Sequence, residues 1–184
     1  ISEIDGESVS FSYDSLSRLG AVEIDGTKTV YTRDNVGRLL SATDGLGRET
    51  RFAYSLGETN TLFVTRPLGQ QKTATYDALG NLLRVDNPDG TFIEYEYDAL
   101  NRRTSKILSS GETTAYEYTA DGKPTRVSGP DGATRLLYNA QGLLRREVDP
   151  NGFARDYEYD KAGRITAVTT QSGTTRYGYD DSGR

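Results

Sequence analysis

Histidine, cysteine, methionine and tryptophan are all missing from the 184 residues. Without His or Cys no Ser-His-Asp triad, cysteine nucleophile or zinc site of nitrogen and sulfur ligands can be assembled, so any catalysis would rest on Asp, Glu, Lys or Tyr. Lack of cysteine also removes disulfides, and stability has to come from packing and strand pairing. Hydrophobic residues make up only 34% of the chain, which is low for a thick two-layer core, and no run of them is long enough to span a bilayer. A formal net charge of −5 argues against a general nucleic-acid surface.

What the chain does have is a repeat. Tyrosine followed by a turn recurs every 20 to 22 residues, at Tyr13, Tyr54, Tyr76, Tyr97, Tyr118, Tyr138, Tyr159 and Tyr179, and Arg33 fills the one gap with the rest of the pattern around it. That gives about nine copies over residues 1–184, the last cut short, with no internal domain boundary. The first residues already look like strand and the last stop inside a turn motif, so the chain reads as a segment of a longer protein. A second series of turns runs about ten residues out of phase: Asp25-Gly26, Asp44-Gly45, Asp89-Gly90, Ser110-Gly111, Asp131-Gly132, Asn151-Gly152 and Ser172-Gly173. Between the turns apolar and polar residues alternate with period two, as in Tyr95-Glu96-Tyr97 and Tyr157-Glu158-Tyr159, which predicts strands with both tyrosines on one face. Asp-Gly and Asn-Gly favour tight hairpins with positive φ at both central positions. The expected fold is all-β: a string of antiparallel hairpins in one curved layer. Tyr97→Ala is expected to cost more stability than Glu96→Ala.

The residue after each repeat tyrosine separates chemistry from architecture. It is Asp14, Asp77, Asp98, Asp160 and Asp180, with Asp34 after Arg33, but Ser55, Thr119 and Asn139 elsewhere. All four types accept a hydrogen bond from an amide two residues on, whereas only Asp could serve as a base or a good metal ligand, so the position is read as turn chemistry. Two or three residues on, Gly37, Gly57, Gly80, Gly122, Gly142, Gly163 and Gly183 are matched by Ser17 and Asn101, the set expected of a left-handed backbone position. No catalytic, cofactor or metal residues are assigned.

Arginine supplies 17 of the 22 basic residues, and Arg18, Arg38, Arg102, Arg164 and Arg184 follow the turns in register. Each is expected to pair with an acid of a neighbouring hairpin or to lie over a tyrosine ring. The competing reading, interleaved Arg and Tyr stacking on single-stranded nucleic acid or sugar, is disfavoured because Lys123, Asn81 and Leu143 replace the arginine without disturbing their repeats. Gly45-Leu46-Gly47-Arg48 looks like part of a phosphate loop but completes no GxGxxG. Carboxylate pairs such as Asp180 with Asp181, or Glu158 with Asp160, are expected by chance among 27 acidic residues.

The pattern resembles the RHS or YD-repeat family, whose signature is similar to Tyr-Asp-x-x-Gly-Arg-Leu. Tyr13 to Leu19, Tyr76 to Leu82, Tyr97 to Arg103 and Tyr159 to Ile165 match it nearly in full, and Arg33, Ser55 and Pro124 depart from it. The resemblance implies a sheet that spirals into a hollow shell around a toxin polypeptide carried at the protein's C-terminus, with no enzyme activity or cofactor in the shell. Implied partners are flanking RHS repeats, the enclosed toxin and, through regions outside this chain, a VgrG/PAAR spike or other delivery components of type VI secretion. The implied setting is a secreted or cell-surface protein of bacteria. The alternative is an adhesion or glycan-binding array. The family's shells often end in a self-cleavage motif similar to Asp-Pro-x-Gly-Leu. Asp149-Pro150-Asn151-Gly152-Phe153 is close to it, but repeats resume at once and it is read as a turn.

Overall fold

The computed structural model describes residues 2–4, 7–180 and 182–183. The described secondary structure is entirely β, and the chain forms two compact units, Ile1–Ile93 and Glu94–Arg184. The first unit contains β1 (Ser2–Ile4), β2 (Glu7–Tyr13), β3 (Leu19–Ile24), β4 (Thr27–Arg33), β5 (Leu39–Thr43), β6 (Glu49–Ser55), β7 (Asn60–Thr65), β8 (Gln71–Tyr76) and β9 (Leu82–Asp86). Strand β10 (Phe92–Tyr97) carries the boundary. The second unit contains β11 (Arg103–Leu108), β12 (Thr113–Tyr118), β13 (Pro124–Gly129), β14 (Gly132–Tyr138), β15 (Leu144–Val148), β16 (Ala154–Tyr159), β17 (Ile165–Thr170) and β18 (Gly173–Arg176). Within each unit consecutive strands pair antiparallel, so the string of hairpins expected from period-two alternation is the fold.

Neither unit has a conventional core. Among the described residues no large side chain is fully buried, and the buried residues are small: Ala21, Ser41, Ser105 and Ala167. Burial is instead shared among many half-covered side chains, Tyr97, Tyr116 and Tyr118 among them, while Glu96 and Glu117 between those rings are exposed. Tyrosine suits this arrangement because its ring packs on neighbours and its hydroxyl reaches a polar partner.

The register slips by one residue at the repeat tyrosines Tyr13, Tyr76, Tyr118, Tyr138 and Tyr159, and equally at Arg33. A bulge of this kind turns the strand end into the hairpin and is set by the loop, so the Arg33 repeat keeps it without a tyrosine. The β6–β7 connection is the exception. Tyr54 pairs with Leu62 and Ser55 with Thr61 without a slip, and Gly57 is not left-handed. Ser55 thus alters its turn outright, whereas Arg33 and Pro124 leave theirs intact.

Most hairpins are not the two-residue type expected from Asp-Gly. Only Asp25-Gly26 places both central residues at positive φ, 47° and 77°. The β13–β14 and β17–β18 hairpins also close over two residues, with Gly129 opposite Gly132 and Thr170 opposite Gly173, but in most other turns a type I turn runs into a single left-handed residue, Gly in most and Ser17 or Asn101 (both φ 59°) in two, which makes a three-residue loop with its own bulge. The three-residue loop won because the residue ahead of the Gly is the middle of the turn and the aspartate that organises it lies further upstream.

Candidate functional site

The functional unit that the repeats build is a clamp joining each YD turn to the hairpin that follows. Its first half lies within the turn. The Asp98 Oδ1 accepts the amide N–H of Leu100 at 2.9 Å and of Arg102 at 3.0 Å, while Oδ2 accepts Arg102 Nε at 2.7 Å. Asp14 with Arg18, Asp34 with Arg38 and Asp160 with Arg164 repeat this set of three bonds at 2.6 to 3.1 Å. In the Asp77 turn Asn81 Nδ2 takes the guanidinium's place at 2.8 Å, and in the Asn139 turn the side-chain oxygen keeps both amide bonds opposite Leu143. Thr119 keeps one, from the N–H of Lys123. Asp180 accepts the N–H of Ser182, while Asp181 and Arg184 lie outside the described residues.

The arginine therefore pairs with the aspartate of its own turn, four residues back, and not with an acid of a neighbouring hairpin. Its backbone amide is held by the same carboxylate, which leaves the guanidinium no shorter path to any other acid. What it reaches across is a ring. Arg38 lies 4.9 Å over Tyr54, Arg102 4.9 Å over Tyr118 and Arg164 4.5 Å over Tyr179, and Lys123 stands over Tyr138. The tyrosine completes the clamp by donating its hydroxyl to the carbonyl just after the preceding turn: Tyr54 to Leu39, Tyr118 to Arg103, Tyr138 to Pro124, Tyr159 to Leu144 and Tyr179 to Ile165, at 2.7 to 2.9 Å. Arg102 Nη1 adds a 2.7 Å bond to the Thr119 carbonyl of the next turn. Gly37 leaves room for the equivalent reach: at φ 93°, a Cβ there would stand 3.3 Å from Arg18 Nη1.

Two tyrosines lie outside the scheme. Tyr13 is 63% exposed, with no YD turn before it, and Tyr76 follows the irregular β6–β7 connection, which carries Thr59 where the cation would be. One turn of the opposite edge belongs to the scheme in its first half. Asp44 accepts the amides of Leu46 and Arg48 at 3.0 Å and Arg48 Nε at 2.7 Å, so the apparent phosphate loop is a further Asp-x-x-Gly-Arg turn. The spacing of Asp44, Gly47 and Arg48, identical to that of Asp34, Gly37 and Arg38, is the signal for it. At Asp149 the carboxylate likewise accepts the amides of Asn151 and Phe153, both at 2.9 Å, which makes Asp149 to Phe153 a turn of the same kind.

These bonds set the acid response. The amide of Arg102 and then its guanidinium hold the Asp98 carboxyl below its usual value of 3.8, and the same causes act on Asp160 through Arg164. Lys123 and Thr119 pull Asp121 down to about 2. A carboxyl that is more acidic folded than unfolded stabilises the fold while ionised, so its contribution is complete above about pH 4 and is lost as pH falls toward 2. The thermal midpoint is expected to be flat from neutral pH to about 5 and to fall below about 4. A midpoint unchanged from pH 5 to pH 2.5 would show that the turn carboxylates contribute nothing.

The chemistry open to this arrangement is binding and bracing. Among the described residues no group of three or more acidic side chains is placed to hold a metal ion, and Glu158 stands across from Ala167 on the strand while Asp160 is engaged in its turn. One turn can be tested directly. Asp98→Asn keeps an acceptor for both amides, as Asn139 does, and loses the ion pair; Asp98→Ala loses all three bonds. Melting midpoints should fall in the order wild type, Asn, Ala, and an alanine variant as stable as the asparagine variant would remove the amide bonds from the account.

The Teneurin YD-shell family matches residues 3–152, and the RHS Repeat family matches residues 138–175 and 159–184. The chain belongs to the RHS/YD-repeat family. It is 34% identical to the toxin protein Tse5 of Pseudomonas aeruginosa over 140 residues, 73% of this chain and 9% of that protein. It is also 34% identical over 137 residues, 60% of this chain and 9% of the relative, to the probable deoxyribonuclease RhsB of Dickeya dadantii. Among solved structures, TcdB2-TccC3 without its hypervariable C-terminal region superimposes with a TM-score of 0.71 over 92% of this chain and 12% of that one, at 17% identity. The Tc holotoxin pore of Photorhabdus luminescens gives 0.63 over 82% of this chain and 9% of that one, at 20% identity. The YD-repeat chain thus spans about a tenth of the length of these relatives.

Proposed function

We propose that this chain is a structural, non-catalytic segment of an RHS-repeat shell that encloses a C-terminal toxin polypeptide in a secreted bacterial protein. The observation that carries the reading is the clamp: in most repeats the aspartate, the arginine and the tyrosine are engaged with one another, hairpin to hairpin, as in Asp98, Arg102 and Tyr118. Such nearest-neighbour bracing lets a long array be built from one short motif. The relatives named as toxins support the context, since their much greater length leaves room for a toxic domain elsewhere in the chain. Repeats on either side of this segment and the enclosed toxin are then its partners. Delivery through a VgrG/PAAR-type spike and release from the producing cell belong to the same reading.

Electron cryomicroscopy of the parent protein tests it. Non-repeat polypeptide packed against one face of this segment, inside a closed array, is the expected result. An open array with both faces in solvent, or with a sugar or partner protein on the tyrosine rings, would replace the shell with an adhesion array.

A further inference from the structure

The tyrosine face of the second unit balances its charge in one repeat and leaves it unbalanced in another. Glu147 on β15 lies opposite Arg155 on β16, and its Oε2 accepts the Tyr157 hydroxyl at 3.3 Å and Arg155 Nη1 at 3.4 Å. Two repeats earlier the same places are held by Lys106 on β11, opposite Thr114 on β12, with Tyr116 where Tyr157 stands. The carboxylate has become an ammonium, and the arginine that met it has become a threonine. A second cation stands beside it. Arg103 fills the place that Leu144 and Ile165 hold in later repeats, and its guanidinium lies 4.5 Å over the Tyr95 ring. Burial works against that charge, but the Tyr97 and Tyr116 hydroxyls beside it outweigh burial and raise its hold on the proton.

Among the described residues no carboxylate pairs with Arg103 or Lys106, whereas the turn arginines Arg102 and Arg164 each have one. Toward β18 the next acid on this face is Glu147, four strands away or about 19 Å. Strand β11 lies inside the sheet, between β10 and β12, so repeats added at the ends of the array extend the strand order and do not cover this face. We propose that Arg103 and Lys106 form a carboxylate site, and that an aspartate or glutamate of the enclosed polypeptide takes there the part that Glu147 plays beside Tyr157. The occupant rests on the shell reading; the site does not. A guanidinium and an ammonium three residues apart on one strand offer a donor to each oxygen of a carboxylate, and the Tyr116 hydroxyl adds a third. A chain of net charge −5 repels an acidic segment as a whole, so attachment of one is confined to a place where cations stand unanswered.

Fluorescence anisotropy of a labelled decaglutamate peptide, titrated with the 184-residue chain, reads the site. Zero-length carbodiimide coupling of the parent protein, mapped by mass spectrometry, reads its occupant. The wild type should bind decaglutamate at low salt and release it at about 0.5 M salt. Arg103→Leu combined with Lys106→Glu, the residues that the chain itself uses at these places in the Leu144 to Val148 strand, should weaken binding at least tenfold with unchanged circular dichroism. Should the double variant lose its fold, Arg103→Leu or Lys106→Gln alone should weaken binding about threefold. Arg135→Gln, which removes an exposed cation of the opposite face, should leave binding as in the wild type. In the parent protein Lys106 Nζ should be joined as an amide to an aspartate or glutamate outside the repeats, the carbodiimide taking up the water released. No binding, binding that survives the double variant, or binding lost with Arg135→Gln overturns the site, whatever the parent encloses. Lys106 joined only to acids of the repeats, or left unjoined in a shell seen to hold a polypeptide, overturns the occupant while the shell reading stands. An open array that still binds decaglutamate through the pair overturns the occupant together with the shell and upholds the site.

Discussion

Tyr118→Ala is expected to lower the free energy of unfolding by about 2–3 kcal/mol, Tyr118→Phe by about 1 kcal/mol and Glu117→Ala by less than about 0.5 kcal/mol. The three residues differ in what they close. The Tyr118 hydroxyl donates to the Arg103 carbonyl at 2.7 Å, and its half-buried ring carries the Arg102 guanidinium at 4.9 Å. Phenylalanine keeps the ring and the cation above it and leaves one carbonyl to water. Alanine removes the surface on which the guanidinium rests, and Arg102 retains only Asp98 and the Thr119 carbonyl. Glu117, next along the same strand, points to the other face, where it meets Arg126 at an exposed 3.1 Å pair, the kind of surface ion pair that contributes little. Urea unfolding of the three variants decides the matter. Equal midpoints for Tyr118→Ala and Glu117→Ala would mean that the tyrosine face does not hold the hairpins together.

The strands were legible because period-two alternation and a 20-residue period are written in the sequence many times over. Repetition averages out the local noise that obscures a single strand, and even the tyrosine-free copy at Arg33 kept its bulge and its Asp34 turn. The turns were half legible. Asp-Gly reads as a two-residue hairpin if only the pair is considered, but in Asp44-Gly45-Leu46-Gly47-Arg48 the left-handed residue is Gly47 and the first glycine is ordinary backbone. The organising residue is the aspartate four positions before the arginine, a longer signal than the dipeptide. The arginine's place over a tyrosine ring was legible, but its ion-pair partner was not. Arginine can bridge to any nearby acid, and only the closed loop, with carboxylate, amide and guanidinium of residues four apart in one ring of bonds, shows why the turn's own aspartate wins. Nor does alternation reveal that the residues most deeply covered are alanine and serine, since a small side chain is buried by the length of its neighbours rather than by its own hydrophobicity.

Ala167 shows what that kind of burial permits. It is fully covered, yet its cross-strand partners are Glu158 on one side and Arg176 on the other, both long and charged. The same place two hairpins earlier is Arg126, between Glu117 and Arg135, with its guanidinium 3.1 Å from Glu117. An arginine fits there because its stem lies along the sheet while its head leaves for water and an acid partner. A leucine has no such exit: branching at Cγ forces bulk sideways into the neighbours that cover Ala167. Ala167→Leu is therefore expected to cost about 2 kcal/mol through overpacking, and Ala167→Arg, although far larger, to cost less than half of that because Glu158 stands where Glu117 does. Removing that acid should reverse the order, so that in a Glu158→Ala background Ala167→Arg becomes the worse of the two, facing Arg176 with no carboxylate opposite. Urea midpoints of the four variants measure this. An arginine variant less stable than the leucine variant in the parent background would show that Ala167 sits in a closed site, and that the equivalence of the repeats fails at the residues they bury most.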